Sequence, residues 1–496
     1  MFNRVIYLLL LLLPTACSVS PVAVDEETGQ SLGIFPDYAG CTIPPNIAPL
    51  NFSLSDTYEE ARVLFTFGSN VWEVKAGSKQ FTFPASRWKK MLEASAGKTI
   101  EVKIKEKKNG RWIGYAPFTF QVASEPADPY IAYRLIEPGY ELWNAMGIYQ
   151  RDLETYAQFP IMENKMTENN CMNCHSFCMQ NPEKMLFHMR GSLGSTLLIQ
   201  GGEIEKLNTK TEQTMSALVY PSWHPSGRFV AFSVNDTKQA FHMNDRNRVE
   251  VYDDKSDVVV YDVERHEIIT APALFSDAWM ETFPTFSPDG KTLYFCSAET
   301  RFLPDEFTRV KYNLCSLSFD PETRTFGQVV DTLFNAKEND GSISFPRVSP
   351  DGKYLMYTKA SYGNFSIWHK DADLYMINLR SGEHYPLDNV NSHEVESYHS
   401  WSSNSRWVVF SSRRSDGLYT RLYITYINDE GQAEKPFLVP QKDVTFYHAF
   451  MKSYNIPEFI TGKVKRQGYR IRQTAKTGKG IDVTFSSEKA KALYQE

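Results

Sequence analysis

Apolar and polar positions alternate along this chain in short bursts rather than in helical stripes. "ARVLFTF" (61–67) and "KTIEVKIKEKKNGRWIGYAPFTFQV" (98–122) read as strands, and Asn109-Gly110 between alternating runs predicts a hairpin turn. One helix interrupts them, "SRWKKMLEASAG", with Ser86 as its cap and Gly97 as its stop. These signals define a small β-rich unit over residues 38–123. Residues 124–167, rich in Pro and Tyr, read as an ordered connector.

The remainder repeats. "YPSWHPSGRFVAFSVN" ends at Asn235, "TFPTFSPDGKTLYFCSA" at Ala298, "SFPRVSPDGKYLMYTKA" at Ala360 and "SYHSWSSNSRWVVFSSR" at Arg413. Each runs from an aromatic or apolar residue through a polar turn and a basic residue into a strand. Further strands follow, such as "DVVVYDVERHEIITAP" and "ADLYMINLRSGEHYPL". Such a repeat, with a turn like Pro288-Asp289-Gly290, predicts a β-propeller over residues 168–496. Pro225, Pro288 and Pro350 recur at intervals of 63 and 62 residues. A simple blade needs about 40–50, so these blades carry insertions, the first around "DTKQAFHMNDRNRVEVYDDKSD". Insertions of this kind project from one face, where binding sites are commonly built.

The repeats resemble the PD40 (WD40-like) repeats of the TolB-like propeller family. The resemblance implies a fold and no particular activity. The expected class is all-β: a propeller of five or six blades preceded by a small β-sandwich-like, immunoglobulin-like domain.

The N-terminus, "MFNRVIYLLLLLLPTAC", has Arg4, an apolar run over 5–13 and small residues before Cys17. The run fits a signal peptide (1–17) and is too short to span a bilayer. "LPTAC" resembles a bacterial lipobox, with Pro14 departing from the usual Leu. The resemblance implies lipidation at Cys17, a tether over 18–37 and a membrane partner. The alternative is cleavage without a lipid. The whole chain also resembles exported lipoproteins of Bacteroidota-type bacteria, through "IPPNIAPLNF", "IEPGYELWNAMGIYQR", "NCMNCHSF" and the PD40 blades. That likeness implies the cell envelope, at the outer membrane and facing the periplasm. A net charge of −6 gives a nucleic-acid partner no electrostatic support.

One stretch carries distinctive chemistry. "ENNCMNCHSFCMQ" begins at Glu168 and holds Cys171, Cys174 and His175 as Cys-x-x-Cys-His. Two thiols at that spacing with an adjacent imidazole point to covalent haem c, its iron held by His175. A redox disulfide and half a zinc site are the other readings. Aligning "NPEKMLFHM" with "SPDGKTLYFC" puts the motif in a loop heading the first blade. It also sets His188 where other repeats have Phe232, Phe295, Tyr357 and Phe410. His188 is therefore the expected second axial ligand, or else a buried, hydrogen-bonded histidine. His224 and His242 are alternatives, and His399 and His448 could approach the axis of a closed propeller. Cys296 and Cys315 lie on strands that could neighbour each other, as a disulfide or as buried thiols. Cys41 and Cys178 have no evident role.

No Ser-His-Asp set, paired acids or phosphate loop stands out, so hydrolysis is not predicted. The leading expectation is an exported, membrane-anchored, c-type haem-binding propeller for electron transfer or redox sensing, with an envelope redox partner. The alternative is a propeller that binds or scaffolds an envelope protein or glycan, with the motif structural. A peroxidase-type open iron site is a third reading.

Overall fold

The computed structural model describes residues 22–55, 57–77, 80–137 and 144–486. The expected signal peptide and Cys17 lie outside the described residues. Among the described residues no helix is long and apolar enough to cross a membrane.

Six sheets, each with four antiparallel strands and two of them extended by a short fifth, parallel strand, make a six-bladed β-propeller. In chain order the inner strands of the second to sixth blades are Cys171–Phe177, Val219–Trp223, Trp279–Phe286, Ser342–Val348 and Glu396–Trp401. The first blade differs. Its three outer strands, Tyr130–Ile136, Gly147–Asp152 and Gln158–Glu163, come from near the N-terminal domain. Its inner strand, Ser453–Ile460, comes from the other end of the chain and pairs antiparallel with Tyr130–Ile136. This joint closes the ring and removes the open sheet edge that a linear row of blades would leave.

Residues 124–167 are therefore not a connector but mostly blade. "YIAYRLI" is buried on both faces: Ile131, Tyr133 and Leu135 pack in one cluster, and Ala132 packs in another with Met172 and Phe187 of the second blade. The Cys-x-x-Cys-His stretch accordingly heads the second blade. It is the innermost strand there, not a loop.

The polar turns have a physical basis. In the fourth blade the Ser287 hydroxyl donates to Asp289, while the Lys291 amide donates to Asp289 and the Thr292 amide to Ser287. Ser349, Asp351, Lys353 and Tyr354 repeat this network in the fifth. Gly290 and Gly352 sit at φ +73° and +72°, which a side chain would strain.

The N-terminal unit is built on a seven-stranded sheet. Its second layer is the helix Ala85–Ser95 and the short strands near Phe52, packed through Phe65, Phe83, Trp88 and Phe120. It docks on the sixth blade, where Trp407 Nε1 donates to the Glu125 carbonyl and Lys435 pairs with Asp37. Past the closing strand, the helix Gly468–Thr477 leads to two short strands. These strap the outer edges of the second and third blades.

Cys296 and Cys315 do lie on adjacent strands, but Cys315 is opposite Phe295 and Cys296 opposite Leu314. The two side chains enter different inter-blade clusters, and both thiols are free. Cys41 and Cys178 are also buried free thiols.

Candidate functional site at the propeller axis

Every inner strand carries a β-bulge at the same level. The register shifts at 173/176, 219/222, 282/285, 344/347 and 397/400, and beside 456–457 in the first blade. The first bulge residue is left-handed in all six: Cys174, Tyr220, Phe283, Phe345, Tyr398 and Ile456 have φ between 47° and 52°. A bulge re-aims its side chain, and here all six are buried near the axis or, at Tyr220 and Ile456, nearly so. Tyr220, Phe283, Phe345 and Tyr398 form consecutive ring contacts with centroids 4.7, 4.2 and 4.5 Å apart. Cys174 and Ile456 hold the other two positions of this plug.

Cys174-His175-Ser176-Phe177 is thus one copy of a sixfold repeat. The others are Tyr220-Pro221-Ser222-Trp223, Phe283-Pro284-Thr285-Phe286, Phe345-Pro346-Arg347-Val348, Tyr398-His399-Ser400-Trp401 and Ile456-Pro457-Glu458-Phe459. Position two is Pro in four copies and His in two. Position three is Ser or Thr in four copies, Arg347 and Glu458 in the others. The four exceptions, Arg347, His399, Glu458 and His175, fall on blades five, six, one and two, which are consecutive around the ring.

These exceptions line one mouth of the axis, a cavity of about 140 Å3 walled by all six inner strands, with Trp223 and Trp401 among its walls. The His175 side chain is fully buried, and neither ring nitrogen has a hydrogen-bond partner. Its Nε2 lies 3.6 Å from Glu458 Oε1, while Glu458 Oε2 accepts the Phe177 amide at 3.1 Å. Burial, and then the Arg134 charge, push His175 down to about 3, so the ring is neutral at physiological pH. Burial pushes Glu458 up to about 7, against the Phe177 amide and the Arg347 charge. His399 Nε2 donates to the Met356 carbonyl at 3.0 Å, and its Nδ1 has no hydrogen-bond partner. The mouth thus offers a neutral imidazole, a carboxyl titrating near neutrality and a guanidinium.

The expected haem ligands do not converge. His188 lies opposite Asn173 on the second strand, its Nδ1 3.1 Å from the Thr196 hydroxyl. It does not line the cavity that His175 enters. The turn from Phe177 to Met185 is one residue longer than the turn from Trp223 to Val230. That extra residue shifts the register: Phe187, not His188, matches Phe232, Phe295, Tyr357 and Phe410, and His188 matches Ser233, Cys296, Thr358 and Ser411. A one-residue slip exchanges the two faces of a strand. Phe187→Ala should therefore cost about 3–5 kcal/mol, and His188→Ser no more than about 2 kcal/mol, read from urea midpoints. The reverse order would contradict this register.

His224 bonds Gly290 and Ser226 between the third and fourth blades, and His242 stacks on Phe307 in the insertion. His448 stacks on Phe35 of the N-terminal unit. Only His399 joins His175 at the axis. Among the described residues no three His, Cys, Asp or Glu side chains converge to hold a metal.

A covalent haem does not fit this arrangement. The Cys174 thiol is packed in the plug, with the Tyr220 amide directed at its sulphur, and burial raises its pKa. Cys171, also buried, stands three residues back along a strand, roughly 10 Å at ~3.3 Å per residue. Buried thiols with raised pKa are poor nucleophiles.

No protein-family model and no curated protein matches this chain. Several solved structures are similar to it. A periplasmic gluconolactonase of Pseudomonas aeruginosa is 12% identical, over 63% of this chain and 97% of its own, with TM-score 0.34. A DUF4784 family protein from Bacteroides caccae is 9% identical, over 73% and 97%, with TM-score 0.31. An oligogalacturonate lyase in complex with manganese is 13% identical over 58% of this chain, with TM-score 0.25, and this chain spans about half of its length, 55%.

Proposed function

We propose that this chain is a binding platform of the cell envelope, whose propeller axis receives a protein or glycan segment. In this reading Cys171, Cys174 and His175 belong to the propeller frame. The observation that carries it is the position of Cys174-His175-Ser176-Phe177 as one copy of the sixfold axial repeat. The four departures from that repeat, Arg347, His399, Glu458 and His175, supply the recognition groups at one mouth. Export and a lipid anchor at Cys17 complete the proposal and rest on the N-terminal sequence alone. An electron-transfer role would instead need the thiols and imidazole of the motif to leave the packed strand.

The direct test places a photo-crosslinking amino acid at Met179, which is exposed and lines this mouth. Illumination of growing cells should give an adduct of defined mass that Arg347→Ala abolishes. No adduct, or the same adduct in the variant, would contradict the reading.

Glu458 also sets a pH signature. Its carboxyl holds a proton more tightly when folded, at about 7 against an ordinary 4.5. Its contribution to stability is full below the unfolded value and is lost as pH rises through the folded one. Glu458→Gln removes that loss and can still accept the Phe177 amide. Its melting temperature, relative to the parent, should be higher at pH 8 than at pH 5. An equal offset at both pH values would contradict the assignment.

A further inference from the structure

The other mouth of the axis has different chemistry. The long third-blade hairpin, Phe229–Phe241 with Val249–Asp262, reaches the loop of the fifth blade, two blades on. Glu250 accepts from Tyr362 at 2.6 Å and faces His369 Nε2 at 2.9 Å, and Asp253 accepts from Asn364 at 2.6 Å. Under this bridge lies a cavity of about 280 Å3. Its walls include Arg134 of the first blade, Arg190 of the second and Arg413 of the sixth, three consecutive blades.

We propose that this chamber binds a small oxyanion, a carboxylate or phosphate group on a solute, through Arg134, Arg190 and Arg413. Among the described residues none of the three has a carboxylate within ion-pair distance, although Arg134 and Arg413 are at most 9% exposed. Arg134 donates to the Met172 carbonyl and the Asn173 side chain, and its buried Nε has no partner. Arg413 donates to the Ile367 and Leu418 carbonyls and lies 3.5 Å from the centroid of the Trp368 ring. The Arg190 side chain, half-buried, makes no hydrogen bond or ion pair among the described residues. Buried guanidinium without a counter-charge is costly, and its planar fork matches an oxyanion. Burial lowers Arg413 to about 9 against the more distant Asp416 and Glu394 charges, and a bound anion would oppose that shift further. Two further charges line the chamber. Lys238 is already paired with Asp236 and Asp254, and Glu137 accepts from Asn144 at 2.7 Å and stands 4.0 Å from Lys452. Lys238 and Glu137 thus have partners of their own, while the three arginines have no ion pair among the described residues.

This inference does not depend on the opposite mouth. The test is thermal unfolding of the full mature chain in inorganic phosphate, in citrate and in chloride at matched ionic strength. Phosphate or citrate should raise the melting temperature saturably beyond chloride. Preference for phosphate marks a phosphorylated solute, and preference for citrate a carboxylate. Arg190→Gln, which removes no hydrogen bond or ion pair of the fold, should weaken that binding about tenfold or more. Arg413→Lys keeps the charge, loses the fork and should weaken it as well. No stabilisation beyond chloride by either anion, or unchanged affinity in Arg190→Gln, would overturn the proposal.

Discussion

A chain ending at Lys452 should fail to unfold cooperatively. It loses Ser453–Ile460, the inner strand of the first blade, which carries the buried Tyr454, Phe459 and Ile460. Burying three such side chains contributes roughly 5–9 kcal/mol, comparable with the ~5–15 kcal/mol of a typical domain's stability. The deletion also exposes the edge of Tyr130–Ile136 and separates the first blade from the sixth. Urea unfolding followed by tryptophan fluorescence should show a broad, sloping signal. A chain ending at Thr461 keeps the ring and loses only the strapping segment, so it should retain a weakened but cooperative transition. If both truncations behave alike, ring closure is not what holds the propeller together.

The second large effect is expected at the axial plug. Phe345 packs against Phe283 and Tyr398 at 4.2 and 4.5 Å between centroids, and it is 2% exposed. Phe345→Ala should cost about 3–5 kcal/mol through the cavity it leaves, and each of the two aromatic pairs it breaks should add about 0.5–1.5 kcal/mol. Cys174→Ala, at the equivalent place in the second blade, should cost no more than about 2 kcal/mol, because it removes one sulphur. Urea midpoints for the two variants test the equivalence. A Cys174→Ala loss as large as that of Phe345→Ala would argue for a role beyond packing.

Most of the propeller could be read from the sequence because its turns are chemically specific. Ser-Pro-Asp-Gly needs a left-handed glycine and an Asp that accepts backbone amides, and the fourth and fifth blades show both. The first blade was not readable that way. Its inner and second strands come from opposite ends of the chain, so no turn of that type joins them. His188 was misplaced by one residue because the turn after Phe177 is longer by one, and nothing in "CMQNPEK" marks where the extra residue sits.

The axial site was present in the sequence but disguised. Cys-His-Ser-Phe and Tyr-His-Ser-Trp share no obvious signature with Ile-Pro-Glu-Phe until a common bulge aligns them. Once aligned, Arg347 and Glu458 stand out as charges replacing Ser or Thr. The Cys-x-x-Cys-His spacing drew attention to the right strand, since His175 does reach the axis. Cys171 and Cys174 are held there by strand geometry and burial.

The measurement that bears most directly on this account is the absorbance and intact mass of mature protein exported from a host with haem-attachment machinery. The account predicts the mass of the bare mature chain, with any N-terminal lipid, and no Soret band after acid–acetone extraction. A Soret band that survives extraction, with one haem of added mass lost in Cys171→Ser and Cys174→Ser, would contradict it.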